Sequence, residues 1–172
     1  MKIDQRMQSI RLIISDVDGV LTDGAIVYNN QCIESKSFHV RDGMGIKLWQ
    51  KAGHKFGVIT ARTSQLVKMR MSEIGVEIVR QGVDDKLPAA IQMVNELGYS
   101  LDETCYVGDD LPDLRLLGKV RLAVSVADGA DDVRSAAHMV TKSPGGRGAV
   151  RELIEAILKS QKRWDELLSS YQ

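Results

Sequence analysis

The chain has 172 residues, with 23 lysines and arginines set against 23 aspartates and glutamates, so its formal net charge is zero. That length suits one well-formed core rather than two ordinary domains, and without a long basic run the charge balance argues against nucleic acid or an anionic membrane as the main partner. No stretch of about 18 consecutive apolar residues occurs, and the N-terminal MKIDQRMQSIRLII has no signal-peptide core; a cytoplasmic protein with two free thiols, Cys32 and Cys105, is expected.

The apolar run Leu12 to Ser15 predicts a buried strand, and it ends at Asp16-Val17-Asp18-Gly19. Ala25 to Tyr28, the turn Asn29-Asn30-Gln31 and Cys32 to Val40 then predict a hairpin projecting from the mouth of the sheet. Further strands are predicted at Phe56 to Thr60, Val76 to Val79, Cys105 to Val107 and Leu122 to Val124. Helices are predicted at Gly43 to Ala52, Ser64 to Ile74, Lys86 to Leu97 and Leu111 to Leu117. From Gly148 onward, Val150, Leu153, Ile154, Ile157 and Leu158 form the apolar stripe of one more helix, and the charges after Lys159 predict a frayed or partner-facing end. Strands alternating with helices give an α/β fold, a Rossmann-like doubly wound parallel sheet with helices on both faces.

Ligands of such sheets bind beyond the carboxyl ends of the strands. The polar residues expected there are Asp16 and Asp18, Thr60, and the cluster Asp109, Asp110 and Asp113, with Lys86 at a helix start beside them. These types suit phosphoryl transfer: a carboxylate can attack phosphorus, and a second nearby can move a proton. Asp16 and Asp109 would hold a hard divalent ion, most simply Mg2+, while Lys86 and the Thr60 hydroxyl would hold phosphoryl oxygens.

Each residue also has a plainer reading. Asp110 and Asp113 can stabilise a helix N-terminus, or orient Lys86 or a metal-bound water, and Asp42 before Gly43 can be an N-cap. Arg41, Lys47, Arg62 and Arg70 can be solvated charges and Arg147 a loop arginine; His54 and His138 read as structural, and Met69 with Met71 as helix packing.

The segments D-V-D-G-V-L-T-D-G, I-T-A-R, the lysine at 86 and G-D-D-L-P-D resemble, in this order, the four motifs of the haloacid dehalogenase phosphatases, in a form with no large cap domain. F-H-V-R-D-G-M-G-I-K at Phe38, Q-G at Gln81, Y-V-G-D-D-L-P-D at Tyr106 and G-G-R-G-A-V-R-E at Gly145 resemble more narrowly the family that cleaves 3-deoxy-D-manno-octulosonate 8-phosphate in lipopolysaccharide precursor synthesis. The resemblance implies Asp16 as nucleophile, Asp18 as acid/base that also gives magnesium its backbone carbonyl, and Asp109 as the third metal ligand. It places His39, Val40, Arg41, Asp42, Gly43, Lys47, Arg62, Arg70 and Lys86 at the acidic sugar-phosphate substrate, and Arg147 at the substrate's acid end. It further implies a homotetramer in which four hairpins form a central barrel and a neighbour completes each site.

Ala61 stands where that family usually has Gly, a small change, and His39 where it often has Asn, next to the substrate loop; a phosphatase for a nine-carbon sialic-type acid 9-phosphate, whose family shares the fold, the hairpin and the catalytic residues, is the nearest alternative. A phospho-accepting receiver domain is an alternative of another class; there the acceptor aspartate lies on a later strand than the acidic pair, whereas Asp16 and Asp18 are two residues apart.

Overall fold

The structure, a computed structural model, describes residues 2–171. In chain order its elements are α1 (Ile3–Gln8), β1 (Leu12–Ser15), β2 (Val27–Tyr28), β3 (Glu34–Ser35), α2 (Val40–Lys51), β4 (Lys55–Ile59), α3 (Gln65–Glu73), β5 (Ile78–Arg80) and α4 (Lys86–Glu96). They continue with β6 (Thr104–Gly108), a 3-10 turn at Leu111–Asp113, α5 (Leu114–Leu117), β7 (Leu122–Ser125), α6 (Asp131–Ala136), β8 (Met139–Val140), α7 (Ala149–Ser160) and α8 (Trp164–Ser169).

Six strands form one parallel sheet in the order β5-β4-β1-β6-β7-β8. All four residues of β1 are buried, which explains its unbroken apolar run: a central parallel strand has no solvated face. Alternate side chains feed two cores. Ile13, Phe56, Val58, Cys105 and Val107 pack with α1, α2, α3 and α7, whereas Leu12, Ile14, Ile59 and Tyr106 pack with α4, α5 and α6. The five stripe residues of α7 are all fully buried, each worth about 1.5–3 kcal/mol relative to exposure.

The strand order reverses at β1, whose neighbours are β4 on one side and β6 on the other. A crevice therefore opens beyond the ends of these three strands, between loops that depart in opposite directions.

Several predicted boundaries move. The paired part of the hairpin is only two residues per strand, because Asn29 closes a tight turn by accepting from the backbone of Gln31 and Ile33 while Cys32 adopts the left-handed region at φ 59°. Val40 begins α2 rather than ending the hairpin. The helix predicted from Gly43 thus starts three residues earlier, and it carries both Gly43 and Gly45, where a Cβ would meet an Arg70 guanidinium nitrogen at 2.3 Å and the Arg151 Cα at 3.2 Å. Val76 lies before β5 and donates its N–H to the Met71 carbonyl at the end of α3.

The predicted frayed tail is instead α8, folded back so that Leu167 is buried and Trp164 lies beneath the cations of Arg151 and Lys159. His54 stacks on Trp49 and bonds Gln161 at 3.0 Å, and His138 accepts from the Ala123 N–H at 2.9 Å. Met71 packs inward, but Met69, expected to pack with it, is exposed. Among the described residues no helix is long and apolar enough to cross a membrane.

Candidate active site

Asp16 extends β1 by one step, donating its N–H to the Val107 carbonyl of β6 at 3.0 Å. Its side chain then leaves the sheet, with Oδ1 accepting from the Val17 N–H at 2.7 Å and Oδ2 lying 2.7 Å from Lys86 Nζ. The chain turns at once, because the Val17 carbonyl accepts from the N–H groups of Val20, Leu21 and Thr22. Gly19 takes φ +92°, and the Asp109 carboxylate lies against it: a Cβ there would stand 2.0 Å from Asp109 Oδ2. Only glycine serves both the backbone angle and the close approach.

Asp109 follows β6, and Asp113 fixes the loop around it. Asp113 is fully buried; its Oδ1 accepts from Lys86 Nζ and from the Tyr106 hydroxyl, each at 2.6 Å, and its Oδ2 accepts from the backbone N–H groups of Asp109 at 2.8 Å and Asp110 at 3.1 Å. Four donors thus occupy this carboxylate. Asp110 caps the short turn that follows, accepting from the Leu111 N–H at 2.8 Å.

Lys86 is buried at the start of α4, with its ammonium shared between Asp16 and Asp113. Burial opposes its charge, but the two carboxylates outweigh burial and raise its pKa. Burial drives the Asp16 carboxyl up to about 6, against the pull of Lys86 and with the help of the Asp113 charge. Burial, then the charges of Asp16 and Asp113, drives Asp109 up to about 7. Two carboxyls held above the ordinary range in one crevice indicate a place built for a compensating cation.

Asp16, Asp109 and Asp113 each offer an oxygen within 4.8 Å of the others. Asp113 has no lone pair to spare, whereas Asp109 Oδ1 is buried without a hydrogen-bond partner, so the oxygen donors that fit a hard divalent ion are Asp16 and Asp109.

Thr60 lies past β4 on the same rim. It is buried, its N–H and C=O are tied to Arg80 and Val83, and its Oγ1 accepts from the Arg62 N–H at 3.3 Å. Two residues beyond Asp16, Asp18 pairs through Oδ1 with Lys36, while its buried Oδ2 has no hydrogen-bond partner and lies 3.8 Å from Arg62 Nε.

Residues 64–154 match the model of the haloacid dehalogenase-like hydrolase family. The 3-deoxy-D-manno-octulosonate 8-phosphate phosphatase of Yersinia pestis is 41% identical over 159 residues, which cover 92% of this chain and 85% of that one. The chain belongs to the haloacid dehalogenase-like hydrolases. Among solved structures, 3-deoxy-D-manno-octulosonate 8-phosphate phosphatase from Moraxella catarrhalis, in complex with magnesium ion, phosphate ion and KDO, matches with a TM-score of 0.97 and 39% identity, covering 99% of this chain and 98% of that one. The cobalt-bound Haemophilus influenzae enzyme matches with a TM-score of 0.89 and 35% identity, covering 92% of each chain.

Within this haloacid dehalogenase-like hydrolase, two of the residues expected at the substrate stand beside the aspartates, Lys86 at Asp16 and Arg62 at Asp18. Arg62 bonds Glu34 at 2.7 Å and the Tyr28 hydroxyl at 3.3 Å, and Arg147, exposed, lies 3.9 Å from Asp23. Val40, Arg41 and Lys47 lie exposed on α2. Arg70 fills the space over Gly43 and pairs with Glu73. His39 caps the start of α2 in extended backbone, with a buried Nδ1 that has no hydrogen-bond partner.

Asp42 has another job. It is buried, and its carboxylate accepts from the backbone N–H groups of Arg151 at 2.8 Å and Gly148 at 3.3 Å, capping α7 from across the core. Each oxygen of the Asp42 carboxylate thus holds one backbone N–H of the first turn of α7 or its cap. Asp42→Ala is expected to cost about 1–2 kcal/mol of stability, the scale of a lost N-cap, measured by urea unfolding.

Lys36 is the residue that the sequence reading missed. Its one local signal is the two-residue spacing from Glu34, which puts both side chains on one face of the β3 strand and its extension.

The raised carboxyls have a measurable consequence in the metal-free protein. Starting from an ordinary value of 3.8, their protonation contributes stability that is complete below that value and lost as pH rises through about 6 for Asp16 and about 7 for Asp109. Metal-free Asp109→Asn should therefore melt above the metal-free wild type at about pH 7.5, and the gap should narrow steadily as pH falls and close only near about pH 3.8. Comparing the two proteins cancels the opposing titration of His54 and His138, both shifted down by burial.

Proposed function

We propose that the chain is a magnesium-dependent phosphatase that hydrolyses 3-deoxy-D-manno-octulosonate 8-phosphate to the free sugar acid and phosphate. The carrying observation is the buried set Asp16, Lys86, Asp109 and Asp113 at the reversal point of the sheet, in a chain so similar to a relative that holds magnesium, phosphate and KDO.

In this reading Asp16 attacks phosphorus. The new bond joins an Asp16 carboxylate oxygen to phosphorus, the bond from phosphorus to the sugar oxygen breaks, and Asp18 gives its proton to that departing oxygen. Water then attacks the aspartyl phosphate, Asp18 takes the water proton, and phosphate leaves with Asp16 restored. Lys86 and the Thr60 hydroxyl hold phosphoryl oxygens, with Lys86 kept charged and in place by Asp113. Asp16, Asp109 and the Asp18 backbone carbonyl would hold Mg2+, which supplies neutralising charge between an anionic nucleophile and an anionic substrate.

Ile26, Val27, Tyr28 and Ile33 are exposed on and around the hairpin, and Val40 and Met69 are exposed nearby. Exposed apolar side chains on a short edge support assembly through this face, as a homotetramer in which a neighbour brings further cations to the site. The even charge balance and free thiols fit a cytoplasmic location.

The test is phosphate release by the purified chain with magnesium, offered the octulosonate 8-phosphate and a nine-carbon sialic-type acid 9-phosphate. A higher kcat/KM on the eight-carbon acid is expected. Preference for the nine-carbon acid would reassign the substrate, and no turnover of either would overturn the reading.

A further inference from the structure

We propose that Lys36 is a positioning residue for the acid/base Asp18, and that Glu34 anchors Lys36, so that the chain's own hairpin sets the proton-transfer geometry. The proposal rests on the assignment of Asp18 as acid/base made above.

The Lys36 side chain is only 1% exposed, and its ammonium meets two carboxylates: Asp18 Oδ1, in close contact, and Glu34 Oε1 at 3.5 Å. Burying an ammonium is costly unless it is paired, and a lysine in this position serves only the groups it touches. One of those groups is two residues from the nucleophile.

The two oxygens of Asp18 are treated differently. Oδ1 is held by Lys36, while Oδ2 is buried without a hydrogen-bond partner, with Arg62 Nε 3.8 Å away and likewise unbonded. A carboxyl that must give a proton and later take one needs one oxygen fixed and the other free for the reacting group. The Lys36 contact survives both states, because Oδ1 accepts from the ammonium whether or not a proton sits on Oδ2.

Glu34 extends the hold into the loop after β4. It accepts from Arg62 and from the Ser64 hydroxyl, each at 2.7 Å, and the Arg62 N–H in turn reaches Thr60 Oγ1 at 3.3 Å. The hairpin thereby grips the two loops that carry Asp18 and Thr60. Asp18, Glu34, Lys36 and Arg62 sum to zero charge, and removing Lys36 leaves an excess negative charge beside an anionic substrate.

The test compares kcat/KM, which reports the steps up to departure of the leaving group, for octulosonate 8-phosphate and for nitrophenyl phosphate. The sugar oxygen needs a proton to leave and nitrophenolate does not. Lys36→Met should lower kcat/KM about 100-fold on the sugar phosphate and less than about 5-fold on the aryl phosphate, and Lys36→Arg should recover most of the loss. In an Asp18→Asn background Lys36→Met should cost nothing further, since it acts through Asp18. Should Lys36→Met fail to fold, Lys36→Gln is read for the same ratio. Equal falls on both substrates, or a full additional loss in the double variant, would reduce Lys36 to a hairpin latch and overturn the proposal. A wild type that cleaves only the aryl phosphate would instead remove the substrate assignment.

Discussion

Asp16→Asn is expected to leave a folded protein whose kcat on the sugar phosphate is at least about 10⁴-fold lower, because an amide cannot form the acyl phosphate and no other carboxylate is placed to replace it. Asp18 is fixed through Oδ1 by Lys36 on the hairpin side, Asp113 is filled by four donors, and Asp109 lies against Gly19. Stability should move little, since two effects oppose each other. Lys86 loses one of its two charged partners, while Asp109 loses the repulsion of a buried neighbour that helps drive it up to about 7. A phosphate-release assay, with circular dichroism to report the fold, checks both parts. Activity within about 100-fold of wild type would require another nucleophile.

Asp113→Ala should have the next largest effect, and on two quantities together. Its fully buried carboxylate satisfies the Lys86 ammonium, the Tyr106 hydroxyl and two backbone N–H groups. Removing one partner of a buried charged network leaves the others unpaired, at about 3–5 kcal/mol, and this should appear in urea unfolding. Lys86 would then lean wholly on Asp16, weakening its grip on phosphoryl oxygens, and the Asp109 loop would lose its anchor. A kcat about 100-fold below wild type is expected even where the variant is fully folded. A stable variant with a low kcat would separate the two roles, and an unstable one with a normal kcat would confine Asp113 to structure.

The sequence exposes the parts of this molecule whose physics is local. β1, β4, β6 and β7 are read from continuous apolar runs because a parallel strand covered on both faces tolerates little else. Asp16, Thr60, Lys86 and Asp109 stand out because each follows such a run, or opens the next helix, and strand ends in this topology share one rim. Asp113 is visible only as one of three possibilities, since an aspartate that starts a helical turn, one that binds a buried lysine and one that orients a metal-bound water look the same in a single sequence.

What stays hidden depends on distant partners. Asp42 caps a helix that begins more than a hundred residues later, and nothing near it announces that role. Lys36 resembles any solvated lysine until the hairpin folds back and buries it on Asp18. Val40 reads as the end of the hairpin, with the helix starting only at Gly43, because a β-branched residue after an extended run looks like strand until α2 packs on α7. The six residues of α8 are too few to show a period and are held by Leu167 and Trp164 packing onto the body, so tertiary contact creates the helix.

The most direct test of the central claim is to quench the enzyme in acid during turnover of sugar phosphate carrying radiolabelled phosphorus, with magnesium present, and to locate the label by peptide mapping. Label bound to Asp16, released by neutral hydroxylamine as an acyl phosphate and missing from Asp16→Asn, is the predicted result. Label on another residue, or full turnover with no phosphate ever bound to protein, would contradict it.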